Sequence, residues 1–116
     1  MSARPQGDPV REVRWVGRSA VVAVEGDIDL GRSARFQMSL LAVMDDRPER
    51  IIIDLSDVPY MDSAGVASLV KLLARTRRQG VPMRLTGLCE RVRSIFEITR
   101  LDGVFDIYPT EEEALA

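Results

Sequence analysis

The segment Asp54-Leu-Ser-Asp-Val-Pro-Tyr-Met-Asp-Ser-Ala-Gly-Val66 holds the residues whose types and order could do chemistry. An apolar run leads through a short loop into Asp62-Ser63-Ala64-Gly65 and then into a helical pattern. At a helix start the first N–H groups have no partner within the helix, and the aligned peptide dipoles leave partial positive charge there. A serine at that position is placed to carry a phosphate, because helix starts accept anions. Small Ala64 and Gly65 leave the serine uncrowded and would let another protein's active site approach the backbone. Phosphorylation adds about −1.5 to −2 charges at neutral pH. The helix dipole tolerates that charge, so the fold should change little. Asp62, and a partner lying flat on Ala64 and Gly65, would not tolerate it, and binding should be lost. The same residues also have a plainer reading. Asp and Ser are favoured capping residues, and Asp-Ser before an apolar run marks a helix start for that reason alone.

Other constellations carry less. Asp27 and Asp29 stand two apart in a loop, but an oxygen-ligand cation site needs more donors at fixed spacing. Turn chemistry and a cap for the following helix account for them. Asp54 and Asp57 invite comparison with an aspartyl-phosphate acceptor, which needs an acidic pair for magnesium and a nearby lysine. The only lysine, Lys71, falls in the middle of a predicted helix. The chain has no histidine and one cysteine, Cys89. That removes Ser-His-Asp and Cys-His machinery, the commonest metal ligand, and a thiolate zinc cage within one chain. Ser63 as a hydrolase nucleophile would lack a base, and an unactivated serine is weak. No metal, cofactor or catalytic residue is therefore expected, and the chain reads as a binding protein instead of an enzyme. The net charge of −2 is spread along the sequence, so no basic face for nucleic acid is predicted. The first residues lack a signal-peptide core, and no window approaches the ~20 apolar residues of a membrane span. A cytoplasmic location without membrane contact is the expectation.

The elements that must position Ser63 follow from periodicity. Residues 1–9 are polar, with two prolines and a glycine, and read as a flexible tail before a single domain over 10–116. Glu12–Val16 and Ser19–Val24 suggest a hairpin turning at Gly17-Arg18. Phe36, Leu40, Leu41 and Met44 recur at helical spacing. Arg50–Leu55, with three consecutive isoleucines, reads as a strand covered on both faces. Val66, Leu69, Val70 and Leu73 form the predicted apolar stripe of the helix that Asp62-Ser63 opens. Lys71 and Arg75 to Arg78 lie in its later turns, where cations suit the dipole. A strand over Pro82–Thr86, a helix over Glu90–Thr99, a strand over Val104–Tyr108 and a short helix capped by Thr110 and Glu113 complete the chain. The order β-β-α-β-α-β-α-β-α predicts an α/β fold, a mixed and mostly parallel sheet of four to five strands with helices packed on it.

Val58-Pro-Tyr-Met-Asp-Ser-Ala-Gly-Val66 resembles the signature of STAS domains, specifically of bacterial anti-sigma factor antagonists. Glu25-Gly-Asp-Ile-Asp29 is similar to that family's Gly-Glu-Leu-Asp turn, Arg50–Leu55 to its central strand, and Val92–Ile107 to its C-terminal helix, turn and strand. The likeness extends from about Val10 to Ala116. It implies that Ser63 is phosphorylated by an anti-sigma factor with serine kinase activity, that the unphosphorylated chain binds that factor and frees the sigma factor, and that a serine phosphatase resets it. ATP would belong to the partner. Asp29 would contribute to the partner interface beside Asp62, Ser63, Ala64 and Gly65, and a homodimer is compatible with the resemblance. Many members carry a second hydroxyl residue where this chain has Ala64, which leaves Ser63 as the candidate within the motif. The alternative is a STAS subunit of a lipid-transport ABC complex or a stress-signalling scaffold. Such transport subunits usually carry threonine at the Ser63 position.

Overall fold

Three consecutive isoleucines decide how the layers are stacked. Ile51, Ile52 and Ile53 are each fully buried, although successive side chains of a strand point to opposite faces. Both faces of that strand must therefore be covered. A computed structural model of the chain, which describes residues 7–116, shows how this is done.

The strands are β1 (Val10–Val16), β2 (Ser19–Glu25), β3 (Arg50–Asp57), β4 (Met83–Thr86) and β5 (Asp106–Tyr108), and they lie side by side in chain order. β1 and β2 form the antiparallel hairpin, turning at Gly17 with φ +59. Every other pairing is parallel. The crossovers are α1 (Leu30–Met44), α2 (Ser63–Arg78) and α3 (Glu90–Ile98), the last followed by a 3-10 turn at Leu101–Gly103. Crossovers of one hand that step across the sheet in one direction fall on one face. Accordingly Phe36, Leu40, Leu69, Leu72, Val92 and Phe96 pack with Ala20, Val22, Ile51, Ile53 and Leu85 in the main core. The opposite face is covered by the short α4 (Glu111–Leu115), where Ala114 packs on Val21 and Ile52.

So small a helix is held by polar contacts as well. Thr110 Oγ1 accepts the Glu113 N–H at 3.2 Å, which is the Thr110 half of the expected capping box. Arg84 donates to the Ala114 and Ala116 carbonyls at 2.7 and 3.0 Å, and Arg50 donates to the Leu115 carbonyl. Cations on the last carbonyls of a helix suit both the unpaired acceptors and the dipole. Arg14 pairs with Glu111 at 2.5 Å, and this contact is the leading cause of a raised Arg14 pKa.

Several expectations shift in detail. Of the tail expected over 1–9, residues 1–6 lie outside the described residues. Asp8 and Pro9 are tied to the domain: the Pro9 carbonyl accepts the Glu25 N–H at 2.9 Å, and the Asp8 carboxylate accepts the Ser39 hydroxyl at 3.0 Å. Pro82 stands immediately before β4, and its carbonyl accepts the Ile51 N–H at 3.0 Å. On α2 the expected stripe is displaced. Val70 is 41% exposed, whereas Leu72 is fully buried. α2 is flanked by α1 as well as resting on the sheet, so its buried arc extends toward α1 and takes in Leu72 instead of Val70. Among the described residues no helix is long and apolar enough to cross a membrane.

Leu72→Ala should therefore lower the unfolding free energy by about 2–5 kcal/mol, as truncation of a buried leucine does. Val70→Ala should change it by no more than about 0.5 kcal/mol. Urea titration of both variants checks the pair, and equal losses would contradict the packing described for α2.

Candidate functional site

In a parallel sheet the crossover helices run back against the strands, so their N-termini gather at the carboxyl edge, where sites of open α/β sheets form. Here the β2–β3 pairing continues past the strands. Ile28 and Met61 make a parallel bridge. The Ile28 N–H donates to the Tyr60 carbonyl at 2.9 Å, and the Asp62 N–H donates to the Ile28 carbonyl at 3.1 Å. The loop before α1 and the loop before α2 are thus zipped together, with Ile28 and Met61 fully buried beneath them.

Asp62 finishes this junction. Its Oδ1 accepts the N–H groups of Ala64 and Gly65 at 2.9 and 3.2 Å, which makes it the N-cap of α2. Its Oδ2 accepts the Leu30 N–H at 3.1 Å. One carboxylate therefore satisfies donors at the starts of two neighbouring helices. Asp29 caps α1 by accepting the Arg32 N–H at 3.2 Å. The turn-and-cap reading of the Asp27–Asp29 loop thus holds for Asp29, while Asp27 is exposed and its carbonyl accepts from Arg32 at 2.7 Å.

Gly65 has a role different from the one its place in the motif suggests. It is buried, and a Cβ there would lie 2.7 Å from Met61 Cγ and 2.8 Å from both Ile28 Cγ2 and the Ile28 carbonyl oxygen. The space it leaves is filled from within the chain, so it is not open to a visiting protein. Its missing side chain lets the first turn of α2 settle onto the Ile28 loop. Ala64 remains half-buried at the surface.

With Asp62 as cap, Ser63 is the first residue of α2 and is exposed. The capping alternative is thereby assigned to its neighbour. Among the described residues the Ser63 hydroxyl has no hydrogen-bond partner. The start of α2 offers a phosphate fewer open donors than a bare helix start, the Ser63 N–H being the one without a partner among the described residues. The Ala64 and Gly65 N–H groups are already taken by Asp62, and the Val66 N–H donates to the Asp62 carbonyl at 3.1 Å. A phosphate on Ser63 would project outward beside a carboxylate.

The remaining candidates resolve into structural parts. Asp54 accepts the Ser56 N–H at 3.0 Å, and Asp57 pairs with Arg11 at 2.7 Å. Lys71 is exposed on α2. Among the described residues no group of His, Cys, Asp or Glu could hold a metal ion. Cys89 occupies the N-cap position of α3, and its thiol donates to the Val58 carbonyl at 3.5 Å. Two features escaped the sequence reading. Leu30, the first residue of α1, is 77% exposed. Arg91 stacks over the Tyr60 ring at 5.2 Å on the other flank of the Ser63 loop. The signal for Leu30 was available: a large apolar residue directly after a capping aspartate and outside the Phe36–Leu40–Met44 stripe.

Comparison with known proteins identifies the family and the fold. The family model described as the STAS domain matches residues 11–114. An anti-sigma-B factor antagonist of Bacillus subtilis is 33% identical over 78% of this chain and 83% of the relative. The crystal structure of an anti-sigma factor antagonist from Mycobacterium paratuberculosis is 30% identical, covers 90% of this chain and 88% of that one, and superposes with a TM-score of 0.77. The anti-sigma factor antagonist SpoIIAA in its unphosphorylated form shares the fold, with a TM-score of 0.75 at 21% identity over 90% of this chain and 91% of its own. From its hairpin to its C-terminal helix, the chain belongs to the STAS domain family.

Proposed function

We propose that this chain is an anti-sigma factor antagonist controlled by phosphorylation of Ser63. In its unphosphorylated form it docks on an anti-sigma factor that has serine kinase activity, and the sigma factor is released. Phosphorylation by that kinase ends the docking, and a serine phosphatase restores it. The kinase binds the ATP. The chain itself supplies a surface and an acceptor hydroxyl and performs no catalysis, and it works in the cytoplasm.

The observation that carries this reading is the division of labour at the start of α2. Asp62 does the capping, so the Ser63 hydroxyl is exposed and uncommitted on a rigid edge. The charge change then acts outside the fold. The Ala64 and Gly65 N–H groups are occupied, and the acceptor lies next to Asp62 on a rim that also carries Asp29 and exposed Asp27. Adding about −1.5 to −2 charges there changes what a partner meets without breaking any contact described in the chain. Like charge at an interface costs several kcal/mol when a partner must desolvate it. The relatives named above supply the partner class.

Incubation with the anti-sigma factor kinase of the same organism and ATP should add one phosphate, located at Ser63 by mass spectrometry. Ser63→Ala should remain unmodified and still bind. Ser63→Asp should bind at least about tenfold more weakly in a calorimetric titration, in line with the cost of an added like charge. Undiminished binding by Ser63→Asp would refute the switch.

The scaffold of the acceptor can be tested separately. Gly65→Ala forces a methyl group against the Ile28 carbonyl and should cost about 1–3 kcal/mol of stability. Asp62→Ala removes a cap and a second tether and should cost about 1–2 kcal/mol. Both variants should also be phosphorylated more slowly than the wild type at a temperature where they remain folded. Wild-type rates in both would show that the junction does not position Ser63.

A further inference from the structure

Leu30 combines two properties that rarely coincide. Its side chain is 77% exposed, while its backbone N–H is fastened to Asp62 Oδ2 at 3.1 Å. It is the first residue of α1, as Ser63 is the first residue of α2, and one carboxylate joins the two helix starts. An apolar side chain in that position is held out into water on a rigid base.

We infer that Leu30 is the apolar anchor by which the unphosphorylated chain docks on its anti-sigma factor kinase. The inference rests on the proposed role of Ser63 and adds a residue to it. The occupant follows from geometry. A protein interface of standard size covers about 800 Å² on each partner, a disc of about 16 Å radius. Ser63 adjoins Asp62, and the Leu30 backbone is hydrogen-bonded to Asp62, so Leu30 lies well inside any such disc centred on the acceptor hydroxyl. A kinase whose contact is centred on Ser63 covers Leu30. Because Leu30 is already fixed at its backbone, burying it forfeits little backbone freedom on binding. Asp27, three residues before Leu30, is exposed, and exposed Ala34 and Met38 follow Leu30 at one-turn spacing on α1, so Leu30 heads a short apolar strip beside the acidic rim of the acceptor. Apolar contact bordered by polar groups is usual in a protein interface. The partner surface that fits is a shallow apolar seat next to the kinase's acceptor site.

Ile98 is the matched control. It is 82% exposed, but it ends α3 at the far edge of the sheet from the helix starts. Titration of the purified anti-sigma factor kinase with the full chain should show Leu30→Ser binding about 10- to 100-fold more weakly, the loss expected for an apolar side chain that was buried on docking. Leu30→Met should bind within a few-fold of wild type, and Ile98→Ser should bind as wild type does. In phosphorylation assays Leu30→Ser should raise KM by a similar factor and leave kcat within about twofold. Thermal unfolding should be unchanged, since Leu30 makes no core contact. Wild-type binding by Leu30→Ser would overturn the anchor and leave the Ser63 reading intact. Loss of binding by Leu30→Ser together with full binding by Ser63→Asp would keep the anchor and remove the switch. If Leu30→Ser abolished only self-association, with kinase binding unaltered, the residue would serve a second copy of this chain and the inference would fail. It would fail equally if the wild-type chain bound no anti-sigma factor kinase.

Discussion

The carboxylate of Asp62 is the contact on which the working edge of this protein depends. Its two oxygens reach the starts of two helices, accepting from Ala64 and Gly65 on one side and from Leu30 on the other. Charge-assisted hydrogen bonds of this kind are stronger than neutral ones. This one also spans elements that are far apart in sequence. It acts only because the loops beneath are already joined by the Ile28–Met61 bridge and because Gly65 lets α2 come down onto the Ile28 carbonyl. The aspartate, the glycine and the buried pair therefore form one mechanical unit, and the serine between them is the residue this unit leaves unengaged.

That arrangement explains how a chemical change can be read by a partner while the domain itself stays folded. A phosphate at a bare helix start would find free N–H groups and partial positive charge, and it would tend to bind its own helix. At α2 the Ala64, Gly65 and Val66 donors are filled by Asp62 and by the ordinary helical bond to its carbonyl. New charge on Ser63 is thus directed away from the domain. The capping aspartate fixes the acceptor in place and also leaves the added charge few internal partners.

Much of this was legible in the sequence, and the parts that were not share a cause. The apolar run Ser19–Val24, the isoleucine run of β3 and the spacing of Phe36, Leu40 and Met44 each reflect contacts that repeat along one element, so element order and helix positions could be read directly. The exchange of Val70 for Leu72 could not, because the buried arc of α2 depends on the neighbouring α1 as well as the sheet. The motif Asp62–Gly65 was recognisable as a unit, yet its internal roles were not. Which of two adjacent capping residues takes the cap is decided by where the Leu30 N–H lies, and whether Gly65 faces outward or inward is decided by the Ile28 loop. Both are facts about a segment some thirty residues away.

The two faces of the sheet divide stability from function in the same way. Three crossover helices build the main core on one face, and the other is closed by a single turn-and-a-half of helix tied down through Arg14, Arg50 and Arg84. Neither face offers the exposed edge that docking needs, because each is spent on burial. The carboxyl edge is different: its loops are short, zipped to each other and capped, so a side chain presented there is rigid without being buried. Leu30 and Ser63 are both first residues of helices on that edge. One would contribute apolar contact to a complex and the other a removable charge beside it. Since both hang from Asp62, attraction and its control are held at a fixed separation, which is what a modification must have if a single added phosphate is to undo a whole interface.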